Sequence, residues 1–157
     1  METTQEIANR FREVILNGTW IANTNYKAQL TATGWQEATQ KVDSLNTIAA
    51  LTFHINYYIA GVLNVFKGGT LDIKDVNSFN CPAITSENDW QLLCNTLLTN
   101  AEDFASTLEQ MPNTILEDIF VDEKYGNYRR NINAMIEHSY YHLGQITLIK
   151  KLLIIEK

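Results

Sequence analysis

The chain has only three histidines, His54, His138 and His142, and their spacing is what points to chemistry. His138 and His142 stand four residues apart, so on a helix their imidazoles share one face with Cβ atoms about 6 Å apart. That is close enough to share an ion. His54 lies in a separate segment, where Thr47, Leu51, His54, Tyr58, Gly61 and Val65 recur at alternating spacings of four and three. Asn131, Met135, His138, His142, Gln145, Ile149 and Leu152 keep the same kind of alternation near the C-terminus. All three histidines therefore fall on core-facing stripes. If a stripe covers about a third of a helix circumference, chance places three histidines inward about once in thirty. Burying neutral imidazoles without partners is costly, and one cation satisfies all three. The competing reading is three separately hydrogen-bonded core histidines, and spacing alone does not separate the two.

Imidazole ligands suit Zn, Ni, Fe or Mn, and three protein ligands leave coordination positions open, the arrangement of a catalytic rather than a structural metal. The His-Glu-x-x-His signature is absent because residue 139 is Ser, which removes support for a peptidase mechanism. Around the histidines, Gln145 lies three residues after His142 and either orients a substrate group or bonds a backbone. Tyr58 and Tyr141, each about one turn from a histidine, are proton donors or core packing. Glu137 sits about 100° around the helix from His138 and is out of reach as a ligand. In the acidic run after the third helix, Asp122 and Glu123 are general-base candidates if that loop folds over the metal, and otherwise a solvated surface. Trp20, Trp35 and Trp90 read as packing anchors. Cys94 reads as buried and Cys81 as a loop thiol.

Four helices must position these residues. Thr3 and Glu6 form a capping-box spacing before Ile7, Phe11 and Val14, and Asn17-Gly18 ends this first helix. A long connection follows, with helical patches over 25–32 and 36–42. The His54 helix starts from Ser44 as N-cap and stops at Lys67-Gly68-Gly69. Residues 70–85 form a crossover loop packed by Leu71, Ile73 and Phe79. Ser86 caps a third helix with the stripe Trp90, Leu93, Leu97, Ala101, Phe104, Leu108, Met111, and Pro112 follows it. The last helix begins near Asn127. The expected architecture is an all-α four-helix bundle, one domain over 1–157, with crossovers of about 25, 18 and 15 residues.

Composition agrees. The hydrophobic share of 45% is globular, and seven Gly with two Pro are too few for a loop-rich β protein. Twelve Lys and Arg against eighteen Asp and Glu leave a net charge of −6, which argues against nucleic acid or an anionic membrane as partner. The N-terminus has no signal-peptide pattern, and no run reaches the ~18 apolar residues of a membrane span, so a cytoplasmic protein with reduced thiols is expected.

The segment Glu137-His138-Ser139-Tyr140-Tyr141-His142-Leu143-Gly144-Gln145-Ile146, followed by Leu148-Ile149-Lys150-Lys151, resembles the final helix of the DinB-like (YfiT-like) four-helix-bundle proteins. Asn46-Thr47-Ile48-Ala49-Ala50-Leu51-Thr52-Phe53-His54-Ile55-Asn56-Tyr57-Tyr58 resembles the segment with that family's first metal-binding histidine. The resemblance runs from near Trp20 to the C-terminus. It implies that His54, His138 and His142 bind one divalent ion, commonly zinc or nickel, at one end of the bundle, and that homodimers are common. The family includes thiol-dependent S-transferases and isomerases using bacillithiol or mycothiol, and metal-dependent hydrolases. The reading taken forward is an S-transferase in which the metal activates a low-molecular-weight thiol toward a small-molecule substrate. A hydrolase using metal-bound hydroxide and a non-catalytic metal-binding scaffold or sensor are the alternatives.

Overall fold

The structure, a computed structural model, describes residues 1–155; the last two residues of the expected 1–157 domain lie outside them. Helix α1 (Thr4–Arg12) continues into a π-helical turn over Glu13–Asn17. Two short helices follow, α2 (Tyr26–Thr31) and α3 (Trp35–Thr39), then the long helices α4 (Ile48–Phe66), α5 (Glu87–Gln110) and α6 (Tyr128–Ile155). Among the described residues there is no strand, only an isolated bridge between Ile119 and Asn127. The all-α expectation holds.

Caps place the helix starts. Thr3 accepts from the Glu6 N–H at 3.2 Å, while Glu6 accepts from the Thr3 N–H at 2.7 Å, which completes the capping box. Ser86 accepts from Asp89 N–H at 3.1 Å at the start of α5, and Asn127 from Arg130 N–H at 2.9 Å at the start of α6. At α4 the cap is Thr47, not Ser44: Ala50 N–H donates to Thr47 Oγ1 at 3.1 Å. Asp43, with φ of 46°, turns the chain there, so residues 44–47 form a bend before the helix begins. The helical patch expected over 36–42 likewise stops at Thr39, although Val42 still reaches the core.

Helix α4 packs on α5, α5 on α1, α1 on α6, and α6 on α4, which closes a ring around one hydrophobic core. Ile7, Phe11 and Val14 are fully buried, and the Phe11 ring stacks on Phe104 with centroids 4.3 Å apart. Arg12 ties α1 to α5 through Glu102 at 2.8 Å and through Glu109. Trp90 is fully buried, its indole N–H donating to Thr33 O at 2.7 Å, whereas Trp20 is 87% exposed and anchors nothing. Against the expectation from the sequence, α4 is long and apolar enough to cross a membrane by length and composition. More than half of its most apolar stretch is buried within the molecule.

The crossover between α4 and α5 lies directly on α4 at Gly61, where an added Cβ would stand 2.5 Å from Ile73 Cγ2. Glycine is required here by contact rather than by its backbone angles. We expect Gly61→Val to destabilise the fold by about 1–3 kcal/mol in urea unfolding, because the crossover must lift to admit the side chain. A stability equal to that of the native chain would show that the crossover yields freely.

Candidate metal centre

The packing of α4 on α6 brings the three histidines together, as their stripes require. His54 Nε2 lies 3.2 Å from His138 Nε2, and His142 Nε2 lies 2.8 Å from the same atom. The three ligand atoms all fall within 4.8 Å of one another, so the cluster can hold a metal ion. For comparison, tetrahedral zinc with nitrogen ligands places neighbouring nitrogens about 3.4 Å apart. His54 and His142 are buried and His138 is half-buried.

The outer nitrogens show how each ring is held. His54 Nδ1 lies 3.3 Å from the Ser78 carbonyl, an acceptor only, so the proton of neutral His54 sits on Nδ1 and its Nε2 carries a lone pair. His142 Nδ1 donates to Gln145 Oε1 at 2.6 Å, which again leaves Nε2 as a lone pair. Both lone pairs face His138 Nε2, which carries at most one proton. One proton cannot serve two acceptors fully, whereas a single cation accepts all three pairs. Outer hydrogen bonds of this kind fix the tautomer and aim of a metal-binding histidine. The donor set therefore fits a borderline divalent ion, with His54, His138 and His142 as its protein ligands.

Electrostatics keep the rings neutral. Burial pushes His138 down to about 4, with the neighbouring His142 and His54 adding to the effect. Burial also lowers His54, reinforced by His142 and opposed by the bond to Ser78 O, and it lowers His142 against the opposing bond from Gln145. Neutral imidazole is the form that ligates.

Helices and crossover build the surroundings. Tyr26 on α2 donates through its hydroxyl to Ser139 O at 2.9 Å and so fixes the turn of α6 between the two histidines. Phe79, itself 43% exposed, lies over His54, ring centroids 4.0 Å apart and planes 14° from parallel. Tyr58 meets the edges of His54 and His138 at 5.0 and 5.3 Å, and donates to Asp75 Oδ1 at 2.8 Å. Burial and the Asp75 carboxylate raise the Tyr58 pKa, so the phenol keeps its proton. Beside His138 opens a cavity of about 310 Å³, walled by Val62, Leu71, Ile73, Phe120 and Met135, with Tyr58 and Asp75 on its side.

The site thus gathers His54, His138, His142, Gln145 and Tyr58. Tyr141 is different: it is 64% exposed and touches only the edge of His142, with centroids 4.9 Å apart. Asp122 and Glu123 are exposed and do not line the cavity. Asp122 accepts from Lys124 N–H at 3.0 Å and pairs with the Lys124 ammonium, which turns it toward its own loop. The carboxylate beside the site is Asp75, which sequence reasoning missed together with Ser78 and with the place of Phe79 over His54, Phe79 being expected only to pack the crossover. All three lie in the aperiodic 70–85 crossover, where no spacing singles them out. Burial pushes Cys94 up to about 12 with help from Glu87, and Cys81 is also raised by burial; neither lines the cavity beside His138. No family model matches the chain, nor does any curated protein or solved structure, so the chemistry of the site rests on its own geometry.

Proposed function

We propose that the chain is a DinB-like four-helix bundle in which His54, His138 and His142 hold one zinc or nickel ion, and that it catalyses thiol-dependent S-transfer. The observation that carries this reading is the convergence of three Nε2 atoms, two of them aimed by outer hydrogen bonds, beside an apolar cavity. When bound, the ion supplies a Lewis-acidic centre that lowers the pKa of a coordinated thiol. The chain's own residues do the rest. Ser78 O and Gln145 hold the rings, Phe79 keeps water off one face of His54, and Tyr58, fixed by Asp75, forms the wall beside His138. Neither cysteine lines the cavity, so the attacking thiol comes from solution. Its sulfur forms a bond to an electrophilic carbon, the leaving group departs with the electron pair of the broken bond, and the thiol proton passes to solvent.

The test is the rate at which a small thiol displaces chloride from chlorodinitrobenzene with zinc-loaded and with chelator-treated protein. We expect acceleration by the loaded chain alone. Metal-dependent hydrolysis of a phenyl ester with no response to thiol would replace transfer by hydrolysis, and neither reaction would favour the scaffold or sensor.

The proposal includes a cytoplasmic homodimer. On α6, Tyr141, Gly144 and Leu148 form an exposed strip, and a Cβ built on Gly144 meets nothing within 4 Å, so a second helix has room to approach. Light scattering at micromolar concentration should give twice the chain mass of 17.9 kDa. A mass of one chain would exclude the dimer.

A further inference from the structure

The geometry points to the cavity beside His138 as the seat of an uncharged or cationic aryl or branched-alkyl group, one that offers a hydrogen-bond donor and carries no anionic substituent. This deepens the S-transfer reading, on which its catalytic meaning rests, by naming the class of electrophile. Size is the first argument. A dry cavity of about 150 Å³ holds benzene, so about 310 Å³ admits one ring with a short substituent. Charge is the second. Asp75 is the only acidic residue among the lining residues, and none of them is Lys or Arg. An anionic ligand would meet no cationic side chain among the lining residues and would lie near the exposed Asp75 carboxylate, whose repulsion at about 5 Å in a water-like dielectric costs about fourfold in affinity.

Hydrogen-bonding capacity points the same way. The Tyr58 hydroxyl is committed to Asp75 Oδ1, and both Asn131 amide protons are committed, to Tyr125 O at 3.0 Å and Asn127 O at 2.8 Å. What remains among the lining side chains is mostly acceptor: among the described residues neither Asp75 Oδ2 nor Asn131 Oδ1 takes a protein donor. Outside His138, the Tyr125 hydroxyl is the one lining side-chain donor without a partner there. A carboxylate or phosphate needs several donors. An alcohol, amide N–H or ammonium needs the acceptors that are present.

The experiment uses the full-length chain, as purified and after chelator treatment, with the Ala134 and Met135 methyl groups followed by NMR. Both residues line the cavity, and Ala134 is exposed at its rim. Benzyl alcohol and benzylamine should shift both methyls in both preparations. In the chelated chain, where no metal can capture a carboxylate, benzoate should bind about fourfold more weakly than benzyl alcohol. Asp75→Asn should bring benzoate to within about 1.5-fold of the alcohol, and Ala134→Phe should abolish the Met135 shift. Benzoate matching benzyl alcohol in the chelated chain, an unchanged Met135 shift in Ala134→Phe, or no shift with any probe would overturn the assignment. Loss of benzyl alcohol binding cannot be confused with failure of the metal reading: a chain that binds zinc but gives no methyl shift loses only the cavity, and one that binds the alcohol but no zinc keeps it.

Discussion

Chain purified without chelator should carry about one divalent ion, and His54→Ala, His138→Ala or His142→Ala should each weaken metal binding by at least about 100-fold. The size of the effect follows from the number of ligands. Among the described residues the cluster offers three imidazoles, so each substitution removes a third of the ligands and leaves two rings that no longer surround an ion. Gln145→Ala leaves all three rings in place but releases His142 Nδ1, and should cost about 10–100-fold, as loss of an outer hydrogen bond does. Elemental analysis and competition with a chromophoric chelator measure both effects. Full metal content in any one histidine variant removes that residue from the ligand set. Proton competition adds a second reading. Burial lowers the pKa of all three rings, His138 to about 4, so at a given pH they hold fewer protons than free histidine and remain available as ligands. Metal should therefore be retained through pH 6.5, the ordinary histidine value, and released only as the pH falls further.

The parts of this centre that were legible in the sequence are those that obey a period. The four-three alternation places His54 and the His138–His142 pair on core-facing stripes, and capping residues locate the starts of α1 and α5, because both signals are local. Thr47 and Ser44 are equally good caps by type. The choice between them is made by the left-handed turn at Asp43, which a stripe does not register. Asp75, Ser78 and the stacking of Phe79 on His54 were hidden for a different reason. Their place over His54 depends on the crossover settling against α4 at Gly61, a contact between segments rather than a pattern within one. The acidic loop Asp122-Glu123 has the right residue types, but its cap and ion pair with Lys124 bind it to itself. Trp20 fails as an anchor in the same way, since a large apolar side chain in a turn has no element behind it to bury against.

Titration of cobalt-substituted protein with a small thiol should produce a sulfur-to-metal charge-transfer band, and His142→Ala should not produce it. The band tests thiol binding without any turnover, so it separates a failed thiol site from a failed electrophile. With zinc-loaded protein, the acceleration of chlorodinitrobenzene substitution over the free reaction should then grow as the pH is lowered below the thiol's own pKa of roughly 8.5. The direction is set by supply: each pH unit below that value leaves about tenfold less thiolate in solution, and the uncatalysed rate falls with it, while a thiol whose pKa is lowered at the protein remains ionised. An advantage that is flat across pH would mean that the protein merely gathers the reactants. Ala134→Phe, which fills the rim of the cavity beside His138, should leave the cobalt band intact and slow transfer to an aryl electrophile that carries an alcohol or amide N–H. Loss of the band in that variant would instead place the thiol, rather than the electrophile, between Tyr58 and Met135.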